Sequence, residues 1–263
     1  MCIDVFEVGG FQVASSPVLL QIQNYLAEIG PAAVPRHCVD IGAADGLVCS
    51  NTLFLFIQGW QGLALEADPE KFVQLENFYR QYLPWARLKR TRVTPTNVCG
   101  LLSEADVPPV FGFLSLDIDS FDYDVLAALL QAYRPTMICA EINEKIPPPI
   151  RFRVPYRDDH FYTGDHFYGM SLSSLADLAQ LHNYDLIQLC FNNVLLVARE
   201  HNRYAVQTPA EAYAAGYLST EIPEYNQNMA PLQSMSPEEG LAFLNEHFAA
   251  YAGRYEAGLA EGQ

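Results

Sequence analysis

Apolar positions along this chain follow two rhythms that alternate. Short apolar runs (HCVDIGA, GLALEA, FGFLSLD, TMICAEIN) are separated by stretches with helical spacing (CSNTLFLFIQGW, PEKFVQLENFYRQYL, DYDVLAALLQAY). Short apolar runs suit strands buried on both faces, and longer periodic stretches suit helices that cover them. Alternation of the two predicts a parallel sheet with right-handed crossovers. ARLKRTRV reads as a weaker strand whose charges suit a sheet edge. SLSSLADLAQLHNY reads as a further helix opened by Ser171. YDLIQLCF and NVLLVARE then form an antiparallel hairpin, with the tight turn placed at Asn192-Asn193. The fold class is α/β: a doubly wound, Rossmann-like sheet with a terminal antiparallel hairpin and helical additions at both ends.

The pattern divides the chain into three parts. Residues 1–35 form an N-terminal helical segment, with the helix at 15–30 stopped by Gly30-Pro31. Residues 36–200 form the sheet domain. Inside it, 144–169 is a substrate-side insertion rich in Pro, Arg, Asp, His and aromatics and without a period. Residues 201–263 lack strand signals, and EAYAAGYL and PEEGLAFLNEHFAAYAGRYEAG read as helices of an appendage. It is a cap or a homodimer surface, or a lid.

Charge and cysteine usage narrow the function classes. The 31 acids against 15 Lys and Arg give a net charge of -16, which disfavours nucleic acid as a partner. No apolar run is long enough to span a membrane, and MCIDVFEVGG lacks the features of a signal peptide. The cysteines at 2, 38, 49, 99, 139 and 190 form no CxxC pair, and Cys38 and Cys139 lie in strand-like runs. Buried thiols, no disulfide framework and a cytoplasmic setting are expected.

Candidate chemistry begins at VDIGAADG, where an apolar run reaches Asp40 and a turn of small residues, Gly42 to Gly46. Small residues let the backbone approach a ligand, and the following segment offers N–H groups. A dinucleotide site would use GxGxxG, but here Ala44 and Asp45 occupy that stretch, and Asp45 would repel a pyrophosphate. That argues against a nicotinamide-dependent reductase and for a cofactor with a cationic centre and an amino-acid tail. Glu66 closes the second run, where an acid can accept from both hydroxyls of a ribose.

These residues resemble class I S-adenosylmethionine-dependent methyltransferases over roughly 36–200: VDIGAADG is similar to their first motif and LALEADP to the following one. The resemblance implies a cofactor site of Asp40, Gly42, Ala43, Asp45, Glu66, Asn97 and Asp117. Gly42, Ala43 and Asp45 would lie against the methionine part and Glu66 on the ribose. TPTNVCGLL resembles the segment bordering the adenine, although Asn97 could equally cap the helix that follows.

A second group of acids ends the next two strands. Asp117 and Asp119 close LSLDID, and Glu141 and Asn143 close AEIN. Asp117 and Asp119 share a face if extended geometry persists. Carboxylates brought that close repel, so Asp117, Asp119, Glu141 and Asn143 are a candidate oxygen-ligand set for Mg²⁺, Ca²⁺ or Mn²⁺. Asp122 and Asp124 belong instead to a helix N-terminus. The positions resemble those of metal-dependent O-methyltransferases of the catechol type, with Glu-Ile-Asn replacing an adjacent Asp-Asn. LDIDSFDYDVLAAL, RPTMICAEIN and DHFYGMSLSSLADL resemble the FkbM-type branch more closely, with Ser120 and Met170 departing from its pattern.

In the insertion, His160 and His166 flank an aromatic stretch, and one of them would be the base acting on the acceptor. Together with Asp119 they are the candidate catalytic residues. Lys145 competes as a base but reads as a solvated charge. Tyr162, Phe167 and Tyr168 wall an apolar substrate or pack the loop on the core. The expected function is methyl transfer from S-adenosylmethionine to a small-molecule acceptor, a natural-product or sugar-like hydroxyl by analogy. N- or C-methylation, or a non-catalytic partner protein on the same fold, are the rivals.

Overall fold

The computed structural model describes residues 5–8, 11–15, 18–30 and 34–259. The elements in chain order are β1 (Val5–Val8), β2 (Phe11–Ser15), α1 (Leu19–Ile29), β3 (His37–Ile41), β4 (Val48–Ser50), α2 (Leu53–Ile57), β5 (Gln61–Glu66), α3 (Pro69–Tyr82), β6 (Ala86–Arg90) and α4 (Val98–Glu104). They continue as β7 (Val110–Leu116), α5 (Asp122–Leu129), β8 (Arg134–Glu141), β9 (Arg151–Arg153), α6 (Leu172–Leu181), β10 (Tyr184–Cys190), β11 (Asn193–Ala198), α7 (Pro209–Gly216), α8 (Pro237–His247) and β12 (Glu256–Gly258).

Seven strands form the main sheet in the order β10-β11-β8-β7-β3-β5-β6. β6, β5, β3, β7 and β8 run parallel, while β11 is antiparallel to β8 and to β10. The strand order reverses between β3 and β7, the switch point where open α/β sheets bind ligands outside the carboxyl ends of their strands. The chain is thus the doubly wound, Rossmann-like α/β sheet with a terminal hairpin. Leu63, Leu65, Leu114, Leu116, Ile138 and Ala140 are buried on one face, while Cys38, Ala64, Phe113 and Met137 are buried in a second cluster on the other. That is why these strands read as near-continuous apolar runs. The charged ARLKR run is the edge strand β6.

Several expectations are corrected. The N-terminal segment is not purely helical: β1 pairs with β2, and β2 pairs with β4 in parallel. The helix expected over 49–60 is only α2, because Val48–Ser50 is drawn into that small sheet. The hairpin turn is Phe191-Asn192 rather than Asn192-Asn193, since Cys190 pairs directly with Asn193. The patternless insertion contains β9, and the appendage supplies β12 as its antiparallel partner. A 3₁₀ stretch, Glu224–Ser234, was not signalled by periodicity. Cys38, Cys99, Cys139 and Cys190 are free, and burial pushes the Cys38 and Cys139 thiols well above their ordinary range. Cys49 is disulfide-bonded, a single bond that the expectation of no disulfide framework did not include. Among the described residues no helix is long and apolar enough to cross a membrane.

The appendage packs on the insertion. Ile146, Ile150, Phe152, Val154 and Phe167 form one apolar cluster with Met229, Leu232, Leu244 and Phe248. Phe167 stacks on Tyr251 with ring centroids 3.9 Å apart.

Candidate active site

The turn after β3 is built by close approach. Gly42 has φ +88, and a Cβ there would lie 1.6 Å from the Asp117 carbonyl oxygen. No side chain fits that position. Gly42 N–H and Ala43 N–H both donate to the Leu65 carbonyl at 3.0 Å, carrying the β3–β5 contact past the strand end. Ala44, also at positive φ, donates its N–H to Glu66 Oε2 at 2.7 Å. The other Glu66 oxygen accepts from Asp68 N–H at 2.6 Å, and Asp68 caps α3. Glu66 therefore fixes the turn on one side and the helix start on the other.

These parts border a cleft of about 320 Å³ outside the strand ends. Gly42 and Ala44 form one wall and Leu65, Glu66, Ala67 and Lys71 the next. Thr91, Arg92 and Val93 follow β6, Asp117 to Phe121 follow β7, and His160, Phe161 and Tyr162 reach over from the insertion. Arg92 ties that insertion to the sheet. Its guanidinium donates to the carbonyls of Asp158 at 2.8 Å and His160 at 2.6 Å, and it lies over the Phe121 and Phe161 rings at 5.2 and 4.5 Å.

On the β7–β8 side, ligand oxygens of Asp117, Asp119 and Glu141 all lie within 4.8 Å of one another. Extended geometry does not persist, since Asp119 has φ +51. The carboxylates converge because Asp122 accepts from Ile118 N–H (2.9 Å) and Ser120 N–H (3.0 Å), folding the turn between them. β7 and β8 are parallel neighbours, Leu116 opposite Ala140, which brings Glu141 alongside. Burial, then repulsion from Asp119, pushes Asp117 up to about 7. Burial and the Asp117 charge push Glu141 well above the carboxylate range. Burial also raises Asp119, although Lys71 and Lys145 pull it back. Glu141 is 7 % exposed; its Oε1 accepts from Asn192 Nδ2 at 2.6 Å, and its buried Oε2 has no donor. An all-carboxylate cluster with a buried, donorless oxygen fits a hard divalent cation.

Other sequence candidates lie elsewhere. Asp40 is buried beneath the strand ends, accepting from Thr52 Oγ1, and does not line the cleft. Burial pushes it up to about 6. Asp45 turns back to accept from Leu47 and Val48 N–H at 2.9 Å each, and the Ala43 side chain packs into the core; neither lines the cleft. Asn97 accepts from Thr94 N–H (2.8 Å) and donates to the Arg92 carbonyl (3.0 Å), so it shapes the loop that carries Arg92 rather than bordering the cleft. Asn143 is fully buried, its Nδ2 holding the carbonyls of His166 (2.8 Å) and Tyr168 (3.1 Å), while its Oδ1 has no donor. It anchors the insertion to the end of β8.

The two histidines separate. His160 lines the cleft, is 5 % exposed, and its Nε2 has no partner; burial, then Arg254 and Arg92, lower its pKa. His166 bonds Asn228 Oδ1 at 2.9 Å, away from the cleft. Lys145 is not solvated: it is 2 % exposed, paired with Glu144 at 3.1 Å and donating to Tyr168 Oη at 2.7 Å. Tyr162 lines the cleft, whereas Phe167 packs under the appendage. Ser171 caps α6 as expected. Sequence reading missed Lys71, Arg92 and Phe161 as wall residues. Lys71 had a signal, since it sits in the first turn of a helix opened by Asp68-Pro69 directly after a strand end.

No family model and no curated protein matches the sequence. Among solved structures, similar chains include an S-adenosylmethionine-dependent methyltransferase from Clostridium acetobutylicum, 11 % identical, covering 68 % of this chain and 91 % of that one with a TM-score of 0.41. A precorrin-6y C5,15-methyltransferase from Geobacter metallireducens is 12 % identical over 70 % and 92 % of the two chains, TM-score 0.41. Magnesium protoporphyrin IX methyltransferase from Synechocystis, solved with bound SAH, is 8 % identical over 68 % and 82 %, TM-score 0.43. Likenesses this distant do not bear on the chemistry of this chain.

Proposed function

We propose that this protein is an S-adenosylmethionine-dependent methyltransferase that acts on the hydroxyl of a small-molecule acceptor with the help of a divalent cation. The observation that carries the reading is the junction at the switch point. There, one cleft borders a glycine turn that only backbone can occupy, Glu66 at the end of β5, and the Asp117–Asp119–Glu141 cluster.

The cofactor would supply an electrophilic sulfonium methyl, and the cation, held by Asp117, Asp119 and Glu141, would lower the pKa of the acceptor hydroxyl. The chain's own residues orient and deprotonate. Glu66 has lone pairs left for ribose hydroxyls after holding Ala44 and Asp68. His160 is the base: burial lowers its pKa and so favours the neutral imidazole, and its buried Nε2 has no competing partner. Phe161, Tyr162 and the Arg92-tethered loop narrow the cleft toward an aligned displacement.

The test is transfer of labelled methyl from S-adenosylmethionine to a panel of hydroxyl compounds, with and without EDTA. Activity should be lost on chelation and return with Mg²⁺ or Mn²⁺. Turnover of a hydroxyl acceptor that is unaffected by chelation would remove the cation.

A further inference from the structure

A chain of side-chain amides runs to the carboxylate cluster from Asn51. Asn51, 8 % exposed and just past β4, donates from Nδ2 to Asn193 Oδ1 at 3.3 Å. Asn193 Nδ2 donates to Asn192 Oδ1 at 2.9 Å, and Asn192 Nδ2 donates to Glu141 Oε1 at 2.6 Å. Asn193 and Asn192 each accept on one side and donate on the other, so both amides point N–H toward Glu141. Asn51 also donates to Ser115 Oγ at 3.3 Å and to Cys139 Sγ at 3.5 Å. The backbone holds Asn192 in register, since Ile142 N–H donates to the Asn192 carbonyl at 2.8 Å.

A buried carboxylate beside Asp117 has two ways to relieve repulsion. Its carboxyl already lies within hydrogen-bonding reach of Asp117, so the pair can share a proton or present its oxygens to a cation. An N–H fixed on Oε1 holds the carboxylate in place and leaves Oε2, buried and without a donor, as the oxygen that a cation would satisfy. We propose that Asn192, oriented by Asn51 through Asn193, is a positioning residue that holds Glu141 as a cation ligand. The proposal rests on the cation-assisted reading above. Groups that orient a metal ligand typically contribute 10–100-fold to metal affinity.

The experiment is an Mn²⁺ titration followed by electron paramagnetic resonance on the full chain, comparing the parent with Asn192→Ala, Asn192→Leu, Asn193→Ala and Glu141→Gln. Thermal unfolding and calorimetric binding of S-adenosylhomocysteine run alongside as controls for fold and cofactor site. The parent should bind Mn²⁺, and Glu141→Gln should abolish it. Both Asn192 variants should weaken it by about 10–100-fold with an altered spectrum, and Asn193→Ala should weaken it less, while homocysteine-cofactor affinity holds. Parent-like Mn²⁺ affinity in folded Asn192→Ala or Asn192→Leu would overturn the positioning role and leave the cation. Absence of Mn²⁺ binding by the parent, with cofactor binding intact, would overturn both.

Discussion

At the residue scale, burial and contact decide which acids do chemistry. Asp40, Asp45 and Glu66 all belong to the stretches that suggested a cofactor, yet only Glu66 faces the cleft. Residue type at a strand end was legible in the sequence. Side-chain direction was not, because it depends on which N–H groups the folded turn leaves open, as Leu47 and Val48 do for Asp45. Asp40 gives a testable consequence. Its folded pKa of about 6 lies above the unfolded value near 3.8, so its contribution to stability is full below pH 4 and is lost as pH rises through 6. Asn at this position does not titrate. In urea unfolding, Asp40→Asn should gain on the parent by on the order of 2 kcal/mol between pH 4 and pH 8. A constant difference across that range would contradict a buried, poorly solvated Asp40.

At the element scale, the strands of the main sheet were readable because both faces are buried and the apolar runs are correspondingly unbroken. The failures cluster where short segments take their structure from a distant partner. β4 is a strand because β2 lies beside it, and β9 because β12 does. Neither pairing has a local signature. The insertion likewise owes its course to Asn143, Arg92 and the appendage rather than to its own sequence. Arg92 is the main polar tie over the cleft, so Arg92→Met should raise hydrogen exchange within 157–163 while β7 and β8 stay protected. Unchanged exchange in that segment would show that the aromatic packing around Phe167 holds it without the guanidinium.

At the scale of the whole molecule, three parts of the chain meet at one place. The first half of the sheet brings the glycine turn and Glu66. The second half brings Asp117, Asp119 and Glu141, and the appendage clamps the insertion that brings His160. Opening the sequence at VDIGAADG pointed to a cofactor turn and LDID with AEIN to a carboxylate cluster, and the fold brings those two together. The appendage's part could not be read from its helical periodicity, because its contacts to Ile146, Phe152 and Phe167 are long-range. The central claim is that the cleft beside Glu66 holds S-adenosylmethionine. Its most direct test is calorimetric titration of S-adenosylhomocysteine into the parent protein and into Glu66→Ala. The account predicts one site per chain in the parent and affinity reduced at least about tenfold in the variant, the scale of one or two charge-assisted hydrogen bonds. No binding by the folded parent, or equal affinity in the two proteins, would contradict it.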